Sequence, residues 1–148
     1  MKILIATDGS SNSKKALDEA AKIAEGCSVH EVAVIHVHEK NINYPGSAGY
    51  HFSQEELMRF KELEERSRED SKKLLQSAVE ALQQKNIKAN PIFETGHPAD
   101  TIARVAREQD FDLLVVGSRG LGGLQKLLLG SVSNALLQEV NTNILVVK

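Results

Sequence analysis

Five of the chain's ten glycines fall in the stretch VVGSRGLGGLQKLLLGSVSNAL, from Val115 to Leu136: Gly117, Gly120, Gly122, Gly123 and Gly130. Glycine weakens regular structure, so such a cluster marks backbone that must bend sharply or approach something closely. Gly117 closes an apolar run, and Gly130-Ser131-Val132-Ser133 reads as the start of a helix. The first N–H groups of a helix have no partner within it and carry partial positive charge, so they attract phosphate. Ser131 and Ser133 add hydroxyls that can donate there. The chemistry on offer is an anion cradle built largely of backbone. A glycine-rich turn followed by ordinary serine capping would use the same residues, and both readings stand at this point.

The commonest phosphate motifs do not fit. A P-loop needs lysine and then Ser or Thr after its last glycine, whereas Gly130 is followed directly by Ser131. The dinucleotide fingerprint needs G-x-G-x-x-G right after a strand, with an acid about 20 residues further on. The glycine spacings here differ, and the 18 residues after Gly130 hold no acid at that distance from the loop.

The elements that must position these residues alternate strand and helix. Residues 2–7 (KILIAT) are apolar without alternation, as for a strand covered on both faces. Ser10 to Ser13 offer caps for a helix to about Glu25, closed by Gly26, and residues 29–38 form a second strand. Residues 39–52 follow neither period. Ser53 and Glu56 make a capping box for a long helix to about Gln84, with an inner stripe through Leu57, Phe60, Leu63, Ser67, Ser71, Leu74, Ala78 and Leu82. Its run ELEERSRED is a solvated face. A third strand spans 87–95, and Gly96-His97-Pro98 opens a helix to about Gln109 with proline at its first position. A fourth strand over 112–116, a helix over 131–140 and a last strand over 144–147 complete the order. Strands joined by helices predict a parallel α/β sheet with helices on both faces, whose ligands bind beyond the strands' carboxyl ends where the strand order reverses.

Composition narrows the function classes. A length of 148 residues fits one domain, and a net charge of −2, from 18 basic and 20 acidic residues, gives no reason to expect nucleic acid. No apolar run is long enough for a bilayer, and no charged-then-apolar leader opens the chain, so a cytoplasmic protein is expected. The single cysteine, Cys27, fits a reducing compartment and reads as a packing residue at a helix end.

Gly117-x2-Gly120, nine residues, then Gly130-Ser131 resembles the G-x2-G-x9-G-(S/T) signature of the universal stress protein family, in its ATP-binding subgroup. The likeness runs along the whole chain, through Asp8 after the first strand, VIHVH on the second, Gly96-His97-Pro98 after the third and LLVVGSRG on the fourth. The resemblance implies a Rossmann-like, open five-stranded parallel sheet in the order 3-2-1-4-5, and an ATP site. Carried over by position, Ala6, Asp8 and Val37 would surround adenine and ribose. Val116, Gly117, Arg119 and Gly120 would run along ribose and phosphates, and Gly130, Ser131, Val132 and Ser133 would hold the phosphates. Gly122 and Gly123 lie inside the spacer and would serve only its turn. The chain departs from the family at Ala6, where proline is common, and at Thr142-Asn143 in place of Cys-Pro. Neither change touches a phosphate contact.

Asp8 would accept ribose hydroxyls or help hold Mg or Mn beside the phosphates; as an alternative it is a turn or capping residue. His36 and His38 share one strand face but lack a third ligand at suitable spacing, so they read as packed or rim histidines. Arg119 would reach phosphate, while Lys126 reads equally as a surface residue. No catalytic base, arginine finger or triad is legible, so the expected protein is a nucleotide-dependent stress-response regulator with at most slow ATP hydrolysis or self-phosphorylation. The last strand, Ile144 to Val147, is continuously apolar at a sheet edge, and the family resemblance likewise implies a homodimer through it. The rival readings are a nucleotide-independent dimeric scaffold and an FMN-binding flavodoxin-like protein, whose phosphate would sit on Thr7, Ser10, Ser11 and Ser13. The low aromatic content, 4% with no tryptophan, argues against the flavin. An ATP pyrophosphatase would need Ser-Gly-Gly where the chain has Asp8-Gly9-Ser10.

Overall fold

An apolar strand without alternation needs cover on both faces, and the architecture supplies it. The computed structural model describes residues 1–39, 52–121 and 129–148. Its elements are β1 (Lys2–Ala6), α1 (Ser11–Gly26), β2 (Glu31–His38), α2 (Gln54–Gln83), β3 (Asn90–Thr95), α3 (Pro98–Glu108), β4 (Leu113–Gly117), α4 (Ser131–Glu139) and β5 (Asn143–Val147). The sheet is parallel in the order β3-β2-β1-β4-β5, as expected. Ile5 stands between Val34 and Val115 in register. Alternate strand residues feed two cores: Ile3, Ile5, Val34 and Val115 pack on α1 and α2, while Leu4, Ala33, Ile35, Leu114 and Val116 pack on α3 and α4. The chain starts in mid-sheet, runs outward to β3, and returns to β4 on the other side of β1. The order therefore reverses between β1 and β4, and a crevice opens beyond their carboxyl ends.

Local signals place the helices. The Ser53–Glu56 capping box is formed, with the Glu56 N–H donating to Ser53 Oγ at 3.2 Å and the Ser53 N–H to Glu56 Oε2 at 2.9 Å. Pro98 opens α3, whose cap is His97. Ser10 caps α1 by accepting the Ser13 N–H at 3.2 Å.

Several expectations are corrected. Gly26 is the last residue of α1 rather than a left-handed stop, and Cys27 after it is exposed rather than packed. β1 ends at Ala6, β2 begins at Glu31, and β3 begins at Asn90 because a turn with Asn86 at φ 61° carries the chain away from α2 first. The stripe of α2 is buried only at Ala78 and Leu82, Leu75 rather than Leu74 is the buried leucine beside them, and Leu57 is 37% and Leu63 58% exposed. Length explains this: 30 helical residues run about 45 Å, against about 17–26 Å for these strands. The stretch 40–51, with both tyrosines, lies outside the described residues.

Candidate functional site

The crevice is a cleft of about 740 Å³, within the range usual for small-molecule sites. Its walls come from the carboxyl ends of β1, β2 and β4 and from the start of α4. Ala6, Asp8, Val37, Val116, Gly117, Arg119, Gly120, Gly130, Ser131, Val132 and Ser133 all line it. Segments far apart in sequence meet there because the parallel crossovers bring every strand's carboxyl end to one rim.

On the β1 side, the Thr7 N–H still donates to Ile35 O at 3.0 Å before the chain turns away. Asp8 Oδ1 then accepts the Ser10 N–H at 2.9 Å, an Asx turn that delivers Ser10 to its capping position. The turn role foreseen for Asp8 is thus filled by one carboxylate oxygen. The other, Oδ2, lies against Gly120, where an added Cβ would stand 2.5 Å away. The Ser10 hydroxyl donates to Arg119 O at 3.3 Å, tying the β1 turn to the glycine loop.

On the β4 side the glycines differ in kind. A Cβ on Gly117 would stand 2.7 Å from Asn12 C and 2.8 Å from Ser13 N, the backbone of α1's first turn. Glycine there lets β4 and α1 touch. A Cβ on Gly130 would meet nothing closer than Arg119 Cα at 3.4 Å, and its φ of −73° suits any residue. No neighbour in the described chain requires Gly130 to be glycine: a Cβ there would rest at ordinary contact distance on the backbone of residues 118–120, at the cleft wall. Gly122, Gly123 and Lys126 lie outside the described residues.

Ser118, buried and not singled out by sequence, joins these parts. Its N–H donates to Val147 O at 2.6 Å, its carbonyl accepts the Gly130 N–H at 2.7 Å, and its hydroxyl accepts from Asn12 Nδ2 at 3.1 Å. The Ser133 hydroxyl also turns inward, 3.1 Å from both Ser118 O and Gly130 O. That corrects the expectation of two serine hydroxyls free to donate: Ser133's single proton is engaged, and of the two serines Ser131 alone has an exposed side chain. The first helical bond of α4 runs from the Asn134 N–H to Gly130 O at 2.9 Å. The N–H groups of Ser131, Val132 and Ser133 precede that ladder and form the donor end of the helix.

His36 and His38 are buried, each with its ring centroid 6.3 Å from that of Phe93. His36 Nδ1 lies 2.8 Å from Thr7 O and His38 Nδ1 3.0 Å from Ser71 Oγ. Among the described residues no three His, Cys, Asp or Glu side chains are grouped to hold a metal ion. The apolar floor, Ile35, Pro98 and Ile102, was missed, although Ile35 shares the face of Val37 and Ile102 lies on the buried stripe of α3. Glu39, just past β2, also lines the cleft and had no signal.

The chain matches the universal stress protein family model over residues 1–148. Universal stress protein YxiE of Bacillus subtilis is 34% identical over 148 residues, spanning 99% of this chain and 98% of the relative. Universal stress protein MJ0577 of Methanocaldococcus jannaschii is 30% identical over 155 residues, spanning 99% and 94%. Its solved structure superposes with a TM-score of 0.76 at 26% identity, covering 99% of this chain and 94% of that one. The universal stress protein of Archaeoglobus fulgidus, solved in complex with dAMP, has a TM-score of 0.64 at 23% identity, covering 100% and 98%, a likeness of fold.

Proposed function

This chain belongs to the universal stress protein family, and on that footing we propose that it is a cytoplasmic, ATP-binding regulator of a stress response that acts as a homodimer. The observation that carries the reading is Gly130. The cleft there opens onto the free N–H groups of α4, and the glycine's missing side chain answers to no neighbour in the described chain. Backbone donors with space in front of them are what a polyphosphate needs. The dAMP held by the Archaeoglobus fulgidus relative agrees with an adenine nucleotide as occupant.

In this reading Ala6, Val37 and Val116 bound the adenine and ribose, and the free edge of Asp8 takes ribose hydroxyls or a Mg or Mn ion shared with the phosphates. Gly117, Arg119 and Gly120 follow the ribose and phosphates, and the backbone of Gly130, Ser131, Val132 and Ser133 holds the phosphate end. None of the described residues lining the cleft is Phe, Tyr or Trp, which disfavours a flavin occupant. Hydrolysis needs a base poised on water and a charge aimed at the transferring phosphoryl group. In this reading turnover is slow at most, and bound ATP acts as a signal.

The homodimer reading rests on the sheet's two edges. β3 carries Pro91 and Glu94, which discourage pairing, whereas β5 presents Ile144 to Val147 without charge or proline. The test is mass spectrometry of nucleotide retained on purification, followed by calorimetry with ATP. Retained or titratable adenine nucleotide supports the reading; neither, in folded protein, leaves the nucleotide-independent scaffold.

A further inference from the structure

β2 reads EVAVIHVH, and its residues facing α1 and α2 change from Val32 and Val34 to His36 and His38 near the cleft. An imidazole in an apolar interior is costly unless its polar atoms are bonded. His36 is 9% exposed, and its Nδ1 lies 2.8 Å from the carbonyl of Thr7, itself 6% exposed. A carbonyl only accepts, so Nδ1 carries the hydrogen.

The position of that bond is informative. Backbone pairing of β1 with β2 ends where the Thr7 N–H donates to Ile35 O. In a parallel ladder the next rung would run from the Val37 N–H to the Thr7 carbonyl. At that carbonyl stands the His36 ring instead. The side chain substitutes for a rung, so Thr7 keeps both of its backbone bonds while the chain departs from the sheet. Asp8 follows at once, with Oδ1 on the Ser10 N–H and Oδ2 against Gly120.

We infer that His36 is a positioning residue for the nucleotide site: it ends the β1–β2 ladder at Thr7 and thereby fixes Asp8 on the cleft wall. The inference rests on the nucleotide reading above; His36 borders the cleft, and the role assigned to it runs through Thr7 and Asp8 rather than through a contact with the ligand. Leucine at position 36 leaves the buried Thr7 carbonyl without its donor, and the turn carrying Asp8 loses its anchor. Asparagine offers an amide N–H near the place of Nδ1.

The experiment measures ATP affinity by calorimetry for wild type, His36→Leu, His36→Asn, Asp8→Ala and the His36→Leu/Asp8→Ala pair, below the lowest melting temperature. Loss of a buried hydrogen-bond partner predicts about tenfold weaker binding for His36→Leu, largely restored in His36→Asn. Because His36 acts through Asp8, His36→Leu should add little in the Asp8→Ala background, whereas a merely structural role gives additive losses. Nitrogen-15 NMR of the wild-type ring supplies a readout independent of nucleotide and of whether the leucine variant folds. A ring protonated at Nδ1 is expected; protonation at Nε2 alone overturns the inference, as do wild-type affinity in His36→Leu or additive penalties. Wild-type protein that binds no ATP while its ring is protonated at Nδ1 overturns the nucleotide reading and, with it, the positioning role.

Discussion

Replacing Gly130 with alanine separates a glycine kept for a ligand from one kept for the fold. At φ −73° and ψ 164° alanine is unstrained, and its Cβ would lie at ordinary contact distance, 3.4 Å, from the nearest described atom. Losing glycine at a helix cap costs at most about 1 kcal/mol, and reduced freedom of the unfolded chain returns about 0.4–1 kcal/mol. The melting temperature should therefore stay within about 3 °C of wild type. ATP binding should not survive so well, because the methyl group would stand on the cleft wall between the backbone of residues 118–120 and the start of α4, where the phosphate end is proposed to lie. Losing one hydrogen bond to a charged phosphate costs about 1.5–3 kcal/mol, a fall in affinity of about 10- to 150-fold. Gly117→Ala should behave oppositely in stability. Its Cβ would press on α1 backbone at 2.7 and 2.8 Å, and such overpacking costs about 1–3 kcal/mol, or about 2–12 °C. Calorimetry and thermal melts on the three proteins decide the matter. Wild-type ATP affinity in Gly130→Ala would refute the argument that residue 130 is glycine for the sake of phosphate, and an unchanged melt in Gly117→Ala would refute the packing argument.

Asp8→Asn keeps an oxygen for the Ser10 N–H, now 2.9 Å from Oδ1, so it should melt with wild type while binding ATP about tenfold more weakly; unchanged affinity removes Asp8 from the site. In β5 the Val147 carbonyl points to β4, where it accepts from Ser118, so by alternation the N–H of Val146 points outward. Val146→Pro should then turn a dimer into a monomer by light scattering while leaving the β4 pairing intact, and a dimer that persists excludes this edge. The Ser53 backbone N–H on the Glu56 carboxylate holds that group's pKa below its usual 4.5. A depressed folded-state value means the contribution is present above the unfolded pKa and lost as pH falls through the folded one. Amide protection factors in the first turn of α2, taken against the intrinsic rate at each pH, should fall as the pH drops below 4.5, an effect Glu56→Gln should abolish; pH-independent protection factors in wild type would contradict it.

Much of the fold was legible because its determinants are local. The unbroken apolar strands, the Ser53 capping box and Pro98 at a helix start each act within a few residues, and strand-helix alternation admits few topologies. The stripe of α2 was legible only in part, since period alone does not say how far a long helix outruns its sheet. Cys27 was misread because a residue at a helix end may pack or face water according to neighbours the local sequence does not name.

In the site, the sequence alone determined which residues could serve a phosphate: three glycines and two serines at a fixed spacing, with Asp8 far upstream. Only the tertiary structure decided what each does. It set Gly117 against α1 and gave Gly130 only ordinary contacts on the cleft wall, turned the Ser133 hydroxyl inward, made Ser118 the joint between loop, helix and last strand, and stood His36 at the end of the β1–β2 ladder. The physical reason is that a hydrogen bond or a steric contact belongs to a pair of groups, and here the partners lie far apart along the chain, as His36 and Thr7 or Asn12 and Ser118 do.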